Sequence, residues 1–222
     1  MKAFVTTMET INLWKKNLRM VPDDLWHQSD LRVLILADNG LTRLSPQVGN
    51  LKKLRTLDLG HNKLTQIPEQ LGNIEDLSDF LYLHDNQLDS LPSSLEQLRK
   101  LRYLNISENR FTGLPACICS MSSLVELRAT DNQISDLPNC IGAMSKLREL
   151  HLRNNKLRTL PPDIGNLREL RQIDLRGNPL EALPDALVAL PKLEKLDLRW
   201  VDTLEPPTWF NTLEDRGCLI YR

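Results

Sequence analysis

One spacing constrains this chain more than anything else in it. Residues 147–167 read Leu147-x-x-Leu150-x-Leu152-x-x-Asn155-x-Leu157-x-x-Leu160-Pro161-x-x-Ile164-x-x-Leu167, and Leu170 restarts the pattern 23 residues after Leu147. In the first part the apolar residues alternate, as in a short strand. In the second the spacing relaxes to three, as in a helical turn. Such a unit has one apolar side and nothing of its own to bury it against. It can be stable only if copies stack.

The copies are present. Units begin at Met8, Leu31, Leu54, Leu77 or Ser78, Leu101, Leu124, Leu147, Leu170 and Leu193. An asparagine recurs at one slot, from Asn39 and Asn62 through Asn86, Asn109, Asn132 and Asn155 to Asn178. Lys16 and Val201 replace it in the end units. A proline recurs at another slot, from Pro22 to Pro184, with Pro46 one place late. A chain that turns off a strand into a core leaves N–H and C=O groups without water. An asparagine amide offers two donors and an acceptor to satisfy them.

These motifs resemble the leucine-rich repeat family over roughly residues 8–221. The segment Leu160-Pro161-x-x-Ile164-Gly165-x-Leu167, echoed at Ile67–Ile74 and Leu137–Met144, is similar to the intracellular Ras-group-related type and to bacterial cytoplasmic members. The resemblance implies an α/β solenoid, a curved horseshoe. A parallel sheet would line its concave face, with short helical or 3-10 turns on the convex face. The repeats divide into an N-terminal lead-in and atypical first unit (1–30), regular repeats (31–192) and a capping repeat (193–222), one domain in all. In the cap, Thr208 is a candidate helix N-cap. Leu219 and Tyr221 fall where the next pair of strand leucines would fall.

One unit breaks register. Asn62 to Asn86 spans 24 residues, which places an extra residue within Leu77–Phe80. The expectation is a bulge or widened turn, with Phe80 and Tyr82 re-aimed toward a partner as its functional reading.

The net charge is −1, so no strong nucleic-acid or membrane field is implied. No run of 18 apolar residues occurs, and residues 1–7 lack a secretory signal pattern. Related proteins outside the cell have cysteines clustered at both ends. Here Cys117, Cys119, Cys140 and Cys218 leave the first 116 residues without one. The chain is therefore expected to be cytoplasmic with reduced thiols. Cys117 and Cys140 share a slot in adjacent units and could be neighbours on the convex face, with Cys119 two residues from the first. Three such thiols could bind zinc or form a disulfide, but no fourth ligand is apparent and free thiols are the expectation.

No glycine-rich phosphate loop, paired zinc-ligand spacing or nucleophile elbow occurs, so no catalytic residue, cofactor or metal ligand is assigned. The informative residues are those flanking the strand leucines, which point out of the concave sheet. Phe80, Tyr82, His84 and Tyr103 form a central aromatic group. Arg128, His151, Arg153, Arg176 and Arg199 form a basic strip toward the C-terminus, edged by Glu126 and Glu149. Tyrosine and arginine are frequent interface anchors. The chain reads as a non-catalytic interaction module or scaffold, a monomer in intracellular signalling, which docks a protein on this face. The alternative is the recognition arm of a larger ligase or kinase.

Overall fold

A computed structural model describes residues 9–222 of the chain. The lead-in expected over residues 1–7 and the inward Met8 lie outside the described residues. Ten three-residue strands form a single parallel sheet in sequence order. They are β1 (Thr10–Asn12), β2 (Val33–Ile35), β3 (Thr56–Asp58), β4 (Phe80–Tyr82), β5 (Tyr103–Asn105), β6 (Glu126–Arg128), β7 (Glu149–His151), β8 (Gln172–Asp174), β9 (Lys195–Asp197) and β10 (Leu219–Tyr221). Each link from β1 to β9 carries a five-residue 3-10 turn on the opposite side, from Asp23–His27 to Asp185–Ala189. The chain is thus a leucine-rich repeat solenoid.

The core runs unbroken between sheet and turns. The strand leucines, the turn apolars from Val48 to Leu187 and the residues three places on, from Leu51 to Leu190, are almost all inaccessible. Each buried aliphatic side chain contributes about 1.5–3 kcal/mol, so stacking supplies what a lone unit lacks. The recurrent proline stands just before each 3-10 turn in an extended conformation. It has no N–H to leave unsatisfied, and its carbonyl accepts the first turn bond, as from Leu71 N to Pro68 O at 3.0 Å. In the second unit Ser45 takes this place and Pro46 becomes the first turn residue, which accounts for its displacement by one.

The asparagines do what their slot requires, across two units at once. The Asn109 amide nitrogen donates to Ile106 O (3.2 Å) and Ser107 O (3.0 Å) in its own turn and to Leu83 O (2.9 Å) in the preceding unit. Its oxygen accepts from Leu88 N at 2.9 Å. The residue before each asparagine has positive φ, from Asp38 (57°) to Gly177 (65°), as does Trp200 (62°) before Val201. That slot is mostly Asp, Asn or Gly, the residues that tolerate it best.

Four sequence expectations change in the structure. First, Gly72, Gly142 and Gly165, which the sequence alone assigns to a tight bend in the convex turn, are required not by a strained φ but by the next unit's approach. A Cβ on Gly142 would lie 2.6 Å from Asp163 O, and one on Gly165 would lie 2.7 Å from Ala186 O. Second, the extra residue is taken up before β4. The Arg102 N–H reaches back to Ser78 O (3.0 Å), while Phe80 stays in register between Thr56 and Tyr103. The insertion widens a turn and does not re-aim Phe80 or Tyr82.

Third, the cap helix α1 spans Phe210–Asp215 with Trp209 as its N-cap, and no side chain caps it, so Thr208 does not. In β10 it is Ile220 that pairs with Leu196 and faces inward, alongside buried Cys218. Leu219 and Tyr221 point outward, 59% and 41% exposed, because strand side chains alternate and Gly217 (φ 87°) sets the phase.

Fourth, Cys119 and Cys140 are joined in a disulfide, Cα atoms 5.7 Å apart, while Cys117 and Cys218 are free. Cys119 occupies the slot that is glycine in Gly142 and Gly165. That slot faces the residue 21 places on, not 23, so its side chain meets Cys140. Two of the four thiols are therefore not reduced, and the cysteines no longer argue for a reducing compartment. Burial pushes the Cys117 thiol up to about 11, which keeps it protonated and a poor attacker on the neighbouring bond.

Two measurements check these points. Asn109→Ala removes one acceptor and three donated bonds in the core, and is expected to cost about 1–3 kcal/mol in urea unfolding. Thiol titration of protein unfolded without reductant should find two reactive cysteines, and four after reduction.

Candidate functional site

The concave sheet places the four aromatic residues together. Phe80 and Tyr82 leave β4 on the same face with rings nearly parallel at 5.8 Å. Tyr103, from the adjacent β5, approaches them at 5.5 and 5.1 Å between centroids. His84 continues the group, edge-on to Tyr82 at 6.0 Å, and meets His61 at 4.8 Å. Phe80 remains 43% exposed, a large apolar side chain turned to water. Burial among its neighbours pushes the Tyr103 hydroxyl up to about 12 and raises that of Tyr82, so both stay neutral donors.

His84 is packed tightly over Gly60. A Cβ there would lie 2.8 Å from the imidazole nitrogens. Its Nδ1 is buried without a hydrogen-bond partner. Burial, then the nearby His61, lowers its pKa from the ordinary 6.5. His61, absent from the sequence-derived site, sits at the rim of this group with its Nδ1 2.6 Å from Asp85 Oδ2. Its slot is not one of the three outward strand columns, so reading those columns misses it.

The basic strip is assembled but not free. Arg128 Nε is bonded to Glu126 Oε1, and Arg153 to Asp131 at 3.1 Å. Arg176 grips Asp174 with two bonds of 2.9 and 2.6 Å, and Arg199 grips Asp197 at 2.9 and 2.7 Å. Asp197 is fully buried and also lies 3.7 Å from Arg176 and 3.6 Å from Lys195. Its pKa is lowered: burial opposes ionisation, but the Arg199 bonds and both arginine charges outweigh it. The strip is thus a ladder of internal ion pairs, and an incoming carboxylate has to compete with one already in place.

His151 lies 3.2 Å from Glu149 and 3.8 Å from Glu126. Glu126, Glu149 and His151 offer three donor atoms within 4.8 Å of one another, across β6 and β7. The sequence reading set both glutamates at the edge of the strip, and the pairing of β6 with β7 closes them on His151. Arg128 already holds Glu126, so one of the two carboxylates is engaged. Among the described residues no helix is long and apolar enough to cross a membrane.

Leucine-rich repeat models match the chain in three stretches: a leucine-rich repeat region over 69–154, a leucine rich repeat over 142–200 and two copies of the repeat over 29–80. With the ten-stranded sheet and its asparagine ladder, these make the chain a leucine-rich repeat protein. No curated protein matches it. Among solved structures, a leucine-rich repeat protein of Leptospira interrogans is similar at 24% identity and a TM-score of 0.74, covering 96% of this chain and 65% of that one. The ectodomain of the Arabidopsis thaliana membrane receptor kinase GASSHO1/SCHENGEN3, in complex with CASPARIAN STRIP INTEGRITY FACTOR 2, is 35% identical over 80% of this chain, with a TM-score of 0.72. The plant peptide hormone receptor RGFR1, in complex with RGF2, is 27% identical over 90%, with a TM-score of 0.73. This chain spans 22% and 37% of those two plant chains.

His84 supplies a pH prediction. A histidine whose folded pKa lies below its unfolded value adds stability above the unfolded value and loses it as pH falls through the folded one. Unfolding free energy should therefore drop as pH falls below about 6.5. The His84→Gln variant should drop less, as read by urea titrations at pH 7.5 and 5.5.

Proposed function

We propose that the chain is a non-catalytic recognition module, which docks a protein or an extended peptide segment across the concave sheet. The observation that carries this reading is the patch of Phe80, Tyr82 and Tyr103, ring centroids 5.1–5.8 Å apart. Aromatic residues are only 5% of the chain, and three of them share one exposed surface. Side chains held on paired strands lose little freedom on binding, which lowers the entropic cost of association. His84 extends the patch, and Arg128, His151, Arg153, Arg176 and Arg199 provide an ion-paired polar flank that sets register more than affinity. The two plant structures with bound ligands support the same use of this architecture. A scaffold role in cytoplasmic signalling is the setting proposed for it.

A second reading is favoured by one comparison. The Arabidopsis relative is the ectodomain of a receptor kinase, and this chain spans only part of its length. The present repeats would then be the recognition arm of a larger enzyme, with the same concave surface as its contact.

The test is affinity capture from lysate of the source cells, with quantitative mass spectrometry of wild type and Tyr82→Ala/Tyr103→Ala. Central aromatic anchors typically contribute about 2 kcal/mol or more each. A partner should therefore be depleted at least about tenfold with the double variant. Equal recovery of every captured protein by both forms would refute the concave assignment.

A further inference from the structure

Beside the concave face, where the chain enters each strand, runs a rim of charged side chains with its own order. One column along the stack reads Asp30, Lys53, Asp76, Lys100, Ser123, Lys146, Glu169, Lys192. Acid and lysine alternate, and each lysine bonds back to the acid of the preceding unit. Lys53 reaches Asp30, Lys100 reaches Asp76 at 2.8 Å and Lys192 reaches Glu169 at 2.6 Å. Lys146 is the exception, because the acid's place is taken by Ser123.

The column two residues further on is Glu9, Arg32, Arg55, Asp79, Arg102, Val125, Arg148, Arg171, Glu194. Here Arg32 holds Glu9, Arg55 holds Asp79 and Arg171 holds Glu194. Arg102 and Arg148 flank Val125, and neither has a carboxylate partner among the described residues. Two interruptions at one boundary between units, Ser123 and Val125 on either side of Leu124, thus leave three exposed cations unpaired. They line one hollow of about 490 Å³ together with Lys100, Ser123, Val125 and Glu169, the last held by Lys192. Arg102 and Val125 also border a mainly apolar hollow of about 230 Å³ walled by Phe80 and Tyr103; its two carboxylates, Asp79 and Glu126, are held by Arg55 and Arg128. The rim groove is therefore continuous with the aromatic patch.

We propose that this groove binds an acidic segment of a peptide ligand, with Arg102, Lys146 and Arg148 pairing its carboxylates or phosphates. An apolar side chain of the same segment enters the hollow between Phe80, Tyr103 and Val125. The inference rests on the recognition reading above, and it names the chemistry of the partner and the side on which its chain leaves the sheet. The patch favours a short peptide over a polyanion. Arg102 and Arg148 lie two strands apart, about 10 Å. On both sides the rim is already ion-paired, Asp76 with Lys100 and Glu169 with Lys192, so a longer run of negative charge finds no further free cation there. Unlike the concave arginines, none of these three cations has an ion pair among the described residues to give up.

The fold itself supplies the test variant. Ser123→Glu/Val125→Glu restores acids to slots that hold them elsewhere in this chain, so the solenoid should keep its melting temperature while the three cations become paired. A phage-displayed random dodecapeptide library is panned on the 222-residue chain. The enriched peptides are synthesised with a fluorophore and titrated by anisotropy. The expected result is peptides combining several acids with an aromatic or large aliphatic residue, which bind the Ser123→Glu/Val125→Glu variant at least about tenfold more weakly than wild type.

Peptides lacking acids, undiminished binding to the repaired variant or no enrichment at all would overturn the proposal. So would tighter binding of phosphatidylserine vesicles or of a single-stranded 20-mer DNA to the same groove. Peptides weakened by Tyr82→Ala/Tyr103→Ala but not by the repaired variant would sink the rim site and leave the concave reading intact. Peptides weakened only by the repaired variant would uphold the rim and remove the aromatic anchors.

Discussion

The asparagine amide is the interaction on which the rest of this solenoid depends. Every unit must carry its backbone off the sheet and into the core, where N–H and C=O groups have no water. One side chain closes that account for two units. Asn62, for example, donates to Leu59 O and Gly60 O within its own turn, and to Leu36 O one unit back. Its oxygen accepts from Leu41 N at 2.9 Å. An unpartnered buried polar group costs about 1–3 kcal/mol. A stack with several empty slots would therefore forfeit much of a typical domain's stability. Because the bonds run between units, the amides also fix the spacing and twist of the sheet. The concave face inherits its rigidity from them.

That rigidity explains why surface chemistry here is a matter of columns. Side chains one unit apart stand on neighbouring strands, so charges in the same slot meet in pairs, at the rim as on the concave face. The Lys100–Asp76 and Arg171–Glu194 pairs are exposed, and such pairs add little stability individually. Their effect is on what the surface presents. A paired arginine offers a partner an exchange of one carboxylate for another, whereas an unpaired one offers a new contact.

Most of the fold was legible because it depends on period. The strand leucines, the asparagine slot and the proline slot each repeat, and a single misread unit does not alter the architecture. What escaped was set by contacts between units. The Cys119–Cys140 bond joins residues 21 apart because the glycine slot leans toward the next turn, and no reading of equal slots could find it. The β10 phase follows Gly217 and the short helix before it, both outside the repeat. Among the site residues the columns placed Phe80, Tyr82, His84 and Tyr103 together, yet gave no hint that Arg176 and Arg199 were already held by Asp174 and Asp197. The carboxylates were in the adjacent column, two residues away along each strand.

The same comparison shows where recognition information lies in a repeat protein. Matches to the pattern describe the scaffold, and departures from it describe the use. Ser123 and Val125 fit the fold without strain, since both are only half buried. Neither substitution adds much to packing, and together they remove the countercharge from three cations beside the exposed ring of Phe80. Where the core tolerates either residue, a paired rim would be the default outcome of the column's alternation. The absence of both acids at the one unit boundary that adjoins the aromatic patch concentrates free positive charge and free apolar surface at a single place on the molecule.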